Sequence, residues 1–123
     1  MPTIRVITDA QLTGAIFPLQ GSQYEYLPFN ARVEFAIVGQ ATVAADIDAI
    51  EATVYSGSDI LQQRGPITNK SATTAQTKDA VYPDDFLLDD VAAAGERLSV
   101  ELQLPGSATA GDTVSTVVKI TPL

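Results

Sequence analysis

The chain contains no cysteine, no histidine and no tryptophan. Without thiols it has neither a disulfide framework nor a thiolate metal site. Without imidazole it lacks the side chain most used for acid–base work near neutral pH, and the commonest metal ligand. Ser-His-Asp and Cys-His catalysis are excluded within one chain. Zinc, copper and iron lose their usual donors. Positive charge is scarce as well: seven Lys and Arg stand against 15 Asp and Glu, a net charge of −8. The cations are dispersed and no two adjoin, so no basic stripe exists to neutralise phosphates. Neither nucleic acid nor an anionic membrane surface is expected as a partner. No apolar run approaches the length needed to cross a bilayer. Met1-Pro2-Thr3-Ile4-Arg5 lacks the basic-then-apolar order of a secretory leader.

What is present points to one β domain spanning residues 1–123. The dominant pattern is period-two alternation, interrupted by Gly, Pro, Asn and Asp. Thr3 to Thr8 reads as a first strand. Ala15 to Leu19 is a short apolar piece in which Pro18 argues for an edge or a connection. Tyr24 to Leu27 suits a short strand. In Ala31 to Val38, Val33, Phe35 and Ile37 share one face. Ala41 to Ala45 is read as a short strand and Ile47 to Tyr55 as another, with Ile50, Ala52 and Val54 inward. Ser56-Gly57-Ser58-Asp59 is a hairpin turn, and Gly65-Pro66 a break. Thr68 to Ala80 is a polar loop without periodicity, of a length that is uncommon unless functional.

Asp89 to Gly95 is read as one helical turn with an aspartate cap and a glycine stop. Leu98, Val100, Leu102 and Leu104 alternate along the clearest strand. Val114, Thr116, Val118 and Ile120 line one face of the last. Seven or eight strands at regular spacing imply an antiparallel β-sandwich, jelly-roll-like, with no parallel sheet.

Two acidic clusters invite a chemical reading: Asp46, Asp48 and Glu51, and Asp84, Asp85, Asp89 and Asp90. Calcium takes six to eight hard oxygens, often from loop aspartates, and a carboxylate pair is also the apparatus of a glycosidase. However, the EF-hand spacing is missing, stacking tryptophans are missing, and aspartate favours turns and caps for local reasons. The acids are read as solvated turn residues. No catalytic residue, metal ligand or cofactor is assigned. Ser56 and Ser58 lack both a nucleophile-elbow setting and a base.

The candidate contact residues are aromatic and cationic. Phe17, Tyr24, Tyr26 and Phe29 are half of the chain's aromatic residues and cluster around two prolines, Pro18 and Pro28. Tyr and Phe are enriched at protein interfaces. Lys70 and Lys78, two of the three lysines, sit in the long polar loop. These six residues, that loop and the chain ends are the expected partner-binding surface.

Val54-Tyr55-Ser56-Gly57-Ser58-Asp59-Ile60, Val81-Tyr82-Pro83-Asp84-Asp85-Phe86 and the stretch from Asp89 through Ala92 and Gly95 to Leu98 carry a family resemblance. Over roughly residues 54–104 the chain resembles cement, or decoration, proteins of tailed bacteriophage heads. The resemblance implies a jelly-roll-like sandwich on the outer shell of a virion. It implies a non-enzymatic role, the major capsid protein as partner and self-association on the shell, with synthesis in the host cytoplasm. The alternative is a calcium- or carbohydrate-binding β-sandwich module.

Overall fold

The computed structural model describes residues 3–40, 44–70, 81, 83–106 and 112–123. They form nine strands, one five-residue helix and one 3-10 turn. In chain order these are β1 (Thr3–Asp9), β2 (Thr13–Ile16), β3 (Ala31–Gln40), α1 (Ala44–Asp48), β4 (Glu51–Ser56), β5 (Asp59–Pro66), β6 (Thr68–Asn69), a 3-10 turn over Pro83–Asp85, β7 (Leu88–Ala92), β8 (Leu98–Pro105) and β9 (Thr113–Pro122).

Two sheets result. One runs β1-β9-β3, with both β6 and β7 on the far edge of β3; the other runs β2-β8-β4-β5. Every strand pair is antiparallel except the two-residue ladder of β6 on β3, which is parallel and was not expected. Central strands β3 and β9 pair over their full length, from Ala31 opposite Pro122 to Gln40 opposite Thr113.

The inward faces follow the period of two. Val33, Phe35 and Ile37 of β3, with Val114, Val118 and Ile120 of β9, meet Ala52 and Val54 of β4 and Leu98, Val100 and Leu102 of β8 in one buried cluster. All the residues read from alternation as core are buried. One feature exceeds the pattern. Ala36 and Val38 of β3, and Ser115 and Val117 of β9, are also buried, although they lie on the opposite face of the sheet. The centre of this sheet is therefore covered on both sides.

Three local readings give way. Residues 41–43 lie outside the described part, but Ala44 and Ala45 belong to helix α1, not to a strand. Alanine favours helix and Asp46 suits the positive end of a first turn. Ile47 on α1 is fully buried over Gly39, where a β-carbon would lie 2.6 Å from Ile47 Cγ2. Only glycine lets the helix approach β3 so closely.

The Asp89–Gly95 stretch is not a helical turn. Its first residues form β7, paired with β3 from Ala31 opposite Ala92 to Phe35 opposite Leu88. A few residues cannot repay helix nucleation by themselves, whereas the open edge of β3 offers a ladder at once. Asp89 therefore pairs with Arg32 across the strands, at 3.0 Å, instead of capping a helix.

The Gly65-Pro66 break is absorbed as the irregular end of β5. Its register with β4 shifts twice between Ala52 and Tyr55. The Gln62 side-chain amide donates to the carbonyls of Ala52, Gly65 and Pro66 at 3.1–3.4 Å, which satisfies the irregular backbone. The expected hairpin is present. Ser56 faces Asp59 across a two-residue turn in which Gly57 has φ +59°, the sign that a primed turn requires.

Candidate contact surface

The connection from β2 to β3, residues 17–30, carries the aromatic cluster. Tyr24 to Leu27 does not form a strand of its own; a single bridge joins Tyr26 to Arg97. The loop is fixed from below. Leu19 and Leu27 are buried. The Ser22 hydroxyl donates to Leu19 O at 2.7 Å. The backbone is tied to the start of β8 by Leu27 N to Glu96 O at 3.0 Å and Leu98 N to Glu25 O at 2.7 Å.

Glu25 is the centre of this fixation. Its Oε1 accepts the Gly21 amide at 2.9 Å, and its Oε2 accepts Arg97 at 2.8 Å. The Gly21 amide first, and then the Arg97 guanidinium, hold the Glu25 carboxyl below the ordinary value of 4.5 against the opposing effect of burial. A depressed carboxyl stabilises the fold above the unfolded-state value and loses that contribution as pH falls through the folded-state value. The melting temperature of the wild type should therefore fall more steeply below about pH 4.5 than that of Glu25→Gln. At pH 7 the variant should be the less stable of the two. Parallel acid slopes in thermal melts would show that Glu25 does not supply this term.

The four aromatics do not play one role. Tyr24 and Phe29 pack on each other, with ring centroids 6.3 Å apart, and both pack against the core. They are structural as well as partly accessible. Tyr26 is 60% exposed, with the Arg97 guanidinium 6.0 Å from its ring centre. Phe17 is also exposed. Phe17 and Tyr26 are thus the aromatic groups with free area for a partner. Arg97 and Glu25 belong to the same surface; alternation marked Arg97 as outward, but nothing in the sequence ties it to a residue 72 positions away.

The two lysines part company. Lys70 does not project from a free loop. Its backbone N–H donates to Gly39 O at 3.0 Å, its side chain is buried, and its ammonium forms an ion pair with the nearly buried Asp85. The reading of Lys70 as a contact cation gives way to a structural one. Lys78 and residues 71–80 lie outside the described part.

Beside that ion pair, β6 and β7 leave a gap along the edge of β3. A cleft of about 240 Å³ opens there, lined by Phe35, Ile37, Pro66, Ile67, Leu87 and Leu88 among others. This is below the roughly 300–1,000 Å³ usual for small-molecule sites. Leu87 at its mouth is 72% exposed.

Four of the seven acids in the two clusters have separate partners. Asp48 accepts the Asn69 amide at 2.8 Å, Glu51 pairs with Arg64 at 3.1 Å, Asp85 with Lys70 and Asp89 with Arg32. Among the described residues no three Asp or Glu side chains converge as a metal site would need. Among the same residues no helix is long and apolar enough to cross a membrane. In comparisons with protein-family models, with curated proteins and with solved structures, the chain matches none.

Proposed function

We propose that this chain is a non-enzymatic structural protein, a cement or decoration protein that binds the outer surface of a phage head and stabilises the shell. Its partner on this reading is the major capsid protein, and its place is the virion surface after synthesis in the host cytoplasm. The observation that carries the reading is the order of strand pairing. β1 pairs with β9, β2 with β8, β3 with β7 and β4 with β5, so first meets last and the pairs nest inward. We take this nesting for a jelly roll, an architecture that recurs in viral capsid and lectin domains.

A fold alone does not specify a function, so the surface matters. Phe17 and Tyr26 present aromatic area on a loop held by buried leucines and the Glu25–Arg97 pair. Rigid aromatic anchors are what interfaces favour. Repetition over a shell lets weak single contacts act together. The separate pairing of Asp48, Glu51, Asp85 and Asp89 weighs against the calcium-binding alternative.

The test uses purified capsids. Phe17→Ala/Tyr26→Ala alters two exposed side chains and should leave the isolated protein folded. It should lower occupancy on the shell and lower the temperature at which shells burst. Full occupancy and unchanged heat resistance would remove this surface from the proposal. A protein that co-purifies with no particle would remove the cement reading itself.

A further inference from the structure

Unpaired backbone groups at a sheet edge invite another chain to add on, and folded proteins usually guard against it. The edges of this sandwich are guarded unequally. β2 has only four residues and Pro18 follows closely. β5 has an irregular register and ends on Pro66. The far edge of β3 is divided between β7 and the two-residue β6. β7 also carries Asp90, whose Oδ2 is buried without a hydrogen-bond partner; an inward charge of this kind discourages pairing.

β1 has only one of these devices, the proline Pro2 that precedes Thr3 in sequence. It keeps an unbroken register with β9 from Thr3 to Asp9 and holds no proline. Ile4, Val6 and Thr8 form its inward face, with Arg5, Ile7 and Asp9 exposed on the outward one. Among the described residues β9 is the only strand paired with it.

The outward triplet is complementary to itself. When two copies of β1 run antiparallel with Ile7 opposite the partner's Ile7, Arg5 falls opposite the partner's Asp9 and Asp9 opposite the partner's Arg5. Directly opposed residues of an antiparallel pair share a face, so an apolar contact on the two-fold axis is flanked by two ion pairs. Moving the axis to Val6 sets Arg5 opposite the partner's Ile7 and loses both ion pairs. Ile7 is 52% exposed, so there is apolar area to cover. Arg5 keeps its interaction within its own chain, and the pairing adds to it.

We propose that β1 is a homodimerisation edge: two copies of this chain pair antiparallel through β1, centred on Ile7, and join their β1-containing sheets into one. This deepens the self-association in the functional reading above. Its test needs no capsid, so the two stand or fall separately.

Sedimentation equilibrium of the full chain should give a reversible dimer. Ile7→Lys opposes two ammonium groups at the axis and should raise the dissociation constant by about tenfold or more. Arg5→Asp alone should also weaken the dimer, and the swap Arg5→Asp/Asp9→Arg should restore it to within about threefold of wild type. Only the Ile7-centred register makes that prediction. A second readout uses the absence of native cysteine. Residues directly opposite in an antiparallel pair have Cα atoms about 4.5–5.5 Å apart, which is within disulfide range. Ile7→Cys should therefore cross-link rapidly under mild oxidation, whereas Ile60→Cys, on the exposed face of β5, should not. Circular dichroism melts check that each variant folds. A wild type that is monomeric up to about 1 mM overturns the proposal. So does a dimer that survives Ile7→Lys, a swap that fails to restore it, or an Ile7→Cys that cross-links no faster than Ile60→Cys.

Discussion

Leu102→Ala is expected to destabilise the protein by about 2–5 kcal/mol, through lost transfer energy and the cavity left behind. Leu102 is fully buried on β8. It stands opposite Ala52 on one neighbouring strand and Ile16 on the other, and belongs to the cluster shared by both sheets. The alanine at Ala52 leaves no large side chain next to it to expand into the void, so collapse is limited on that side. For a chain of this size, each kcal/mol moves the melting temperature by about 3–6 °C. The melt should therefore fall by roughly 6–30 °C. A shift of only one or two degrees would mean that β8 is not at the centre of the sandwich.

Lys70→Met should be almost as severe, at about 3 kcal/mol, because it removes the ammonium that Asp85 pairs with in a site largely closed to water. The side chains of Lys70 and Asp85 are only 8% and 11% exposed, so water offers little compensation for the lost ammonium. The double variant Lys70→Met/Asp85→Leu should recover most of the loss, since replacing both partners of a buried pair by apolar groups is often neutral. Chemical denaturation of the two single variants and the double measures the coupling directly. Additive losses would show that the two groups do not depend on each other. The same geometry affects truncation. A deletion that begins at Lys70 removes both this pair and the hydrogen bond to Gly39 O, so a loop deletion meant to spare the fold must begin later.

Three parts of the candidate surface differ in how far the sequence foretells them. The aromatic run was visible because prolines and tyrosines sit close together in the chain. Its division into two packed rings and two free ones was not, because that depends on which way the loop leaves the buried Leu19 and Leu27. The place of Lys70 differs from the expectation for a related reason. A lysine in a polar stretch looks solvated until a carboxylate 15 residues away is folded over it. The cleft beside β3 exists only because two later segments, β6 and β7, share one edge without meeting.

By itself, the sequence determined that the fold is all-β, that each strong strand has a core face, and that the chain turns tightly at Gly57. Each of these is a local property. A period of two is written residue by residue, and a primed turn asks for glycine at one position. Tertiary structure alone decided that 88–92 is a strand, that Ala44–Asp48 is helical and that first pairs with last. Those outcomes depend on partners distant in the chain. The open edge of β3, the small Gly39 beneath Ile47 and the alignment of β9 between β1 and β3 outweigh local preferences worth only tenths of a kcal/mol per residue.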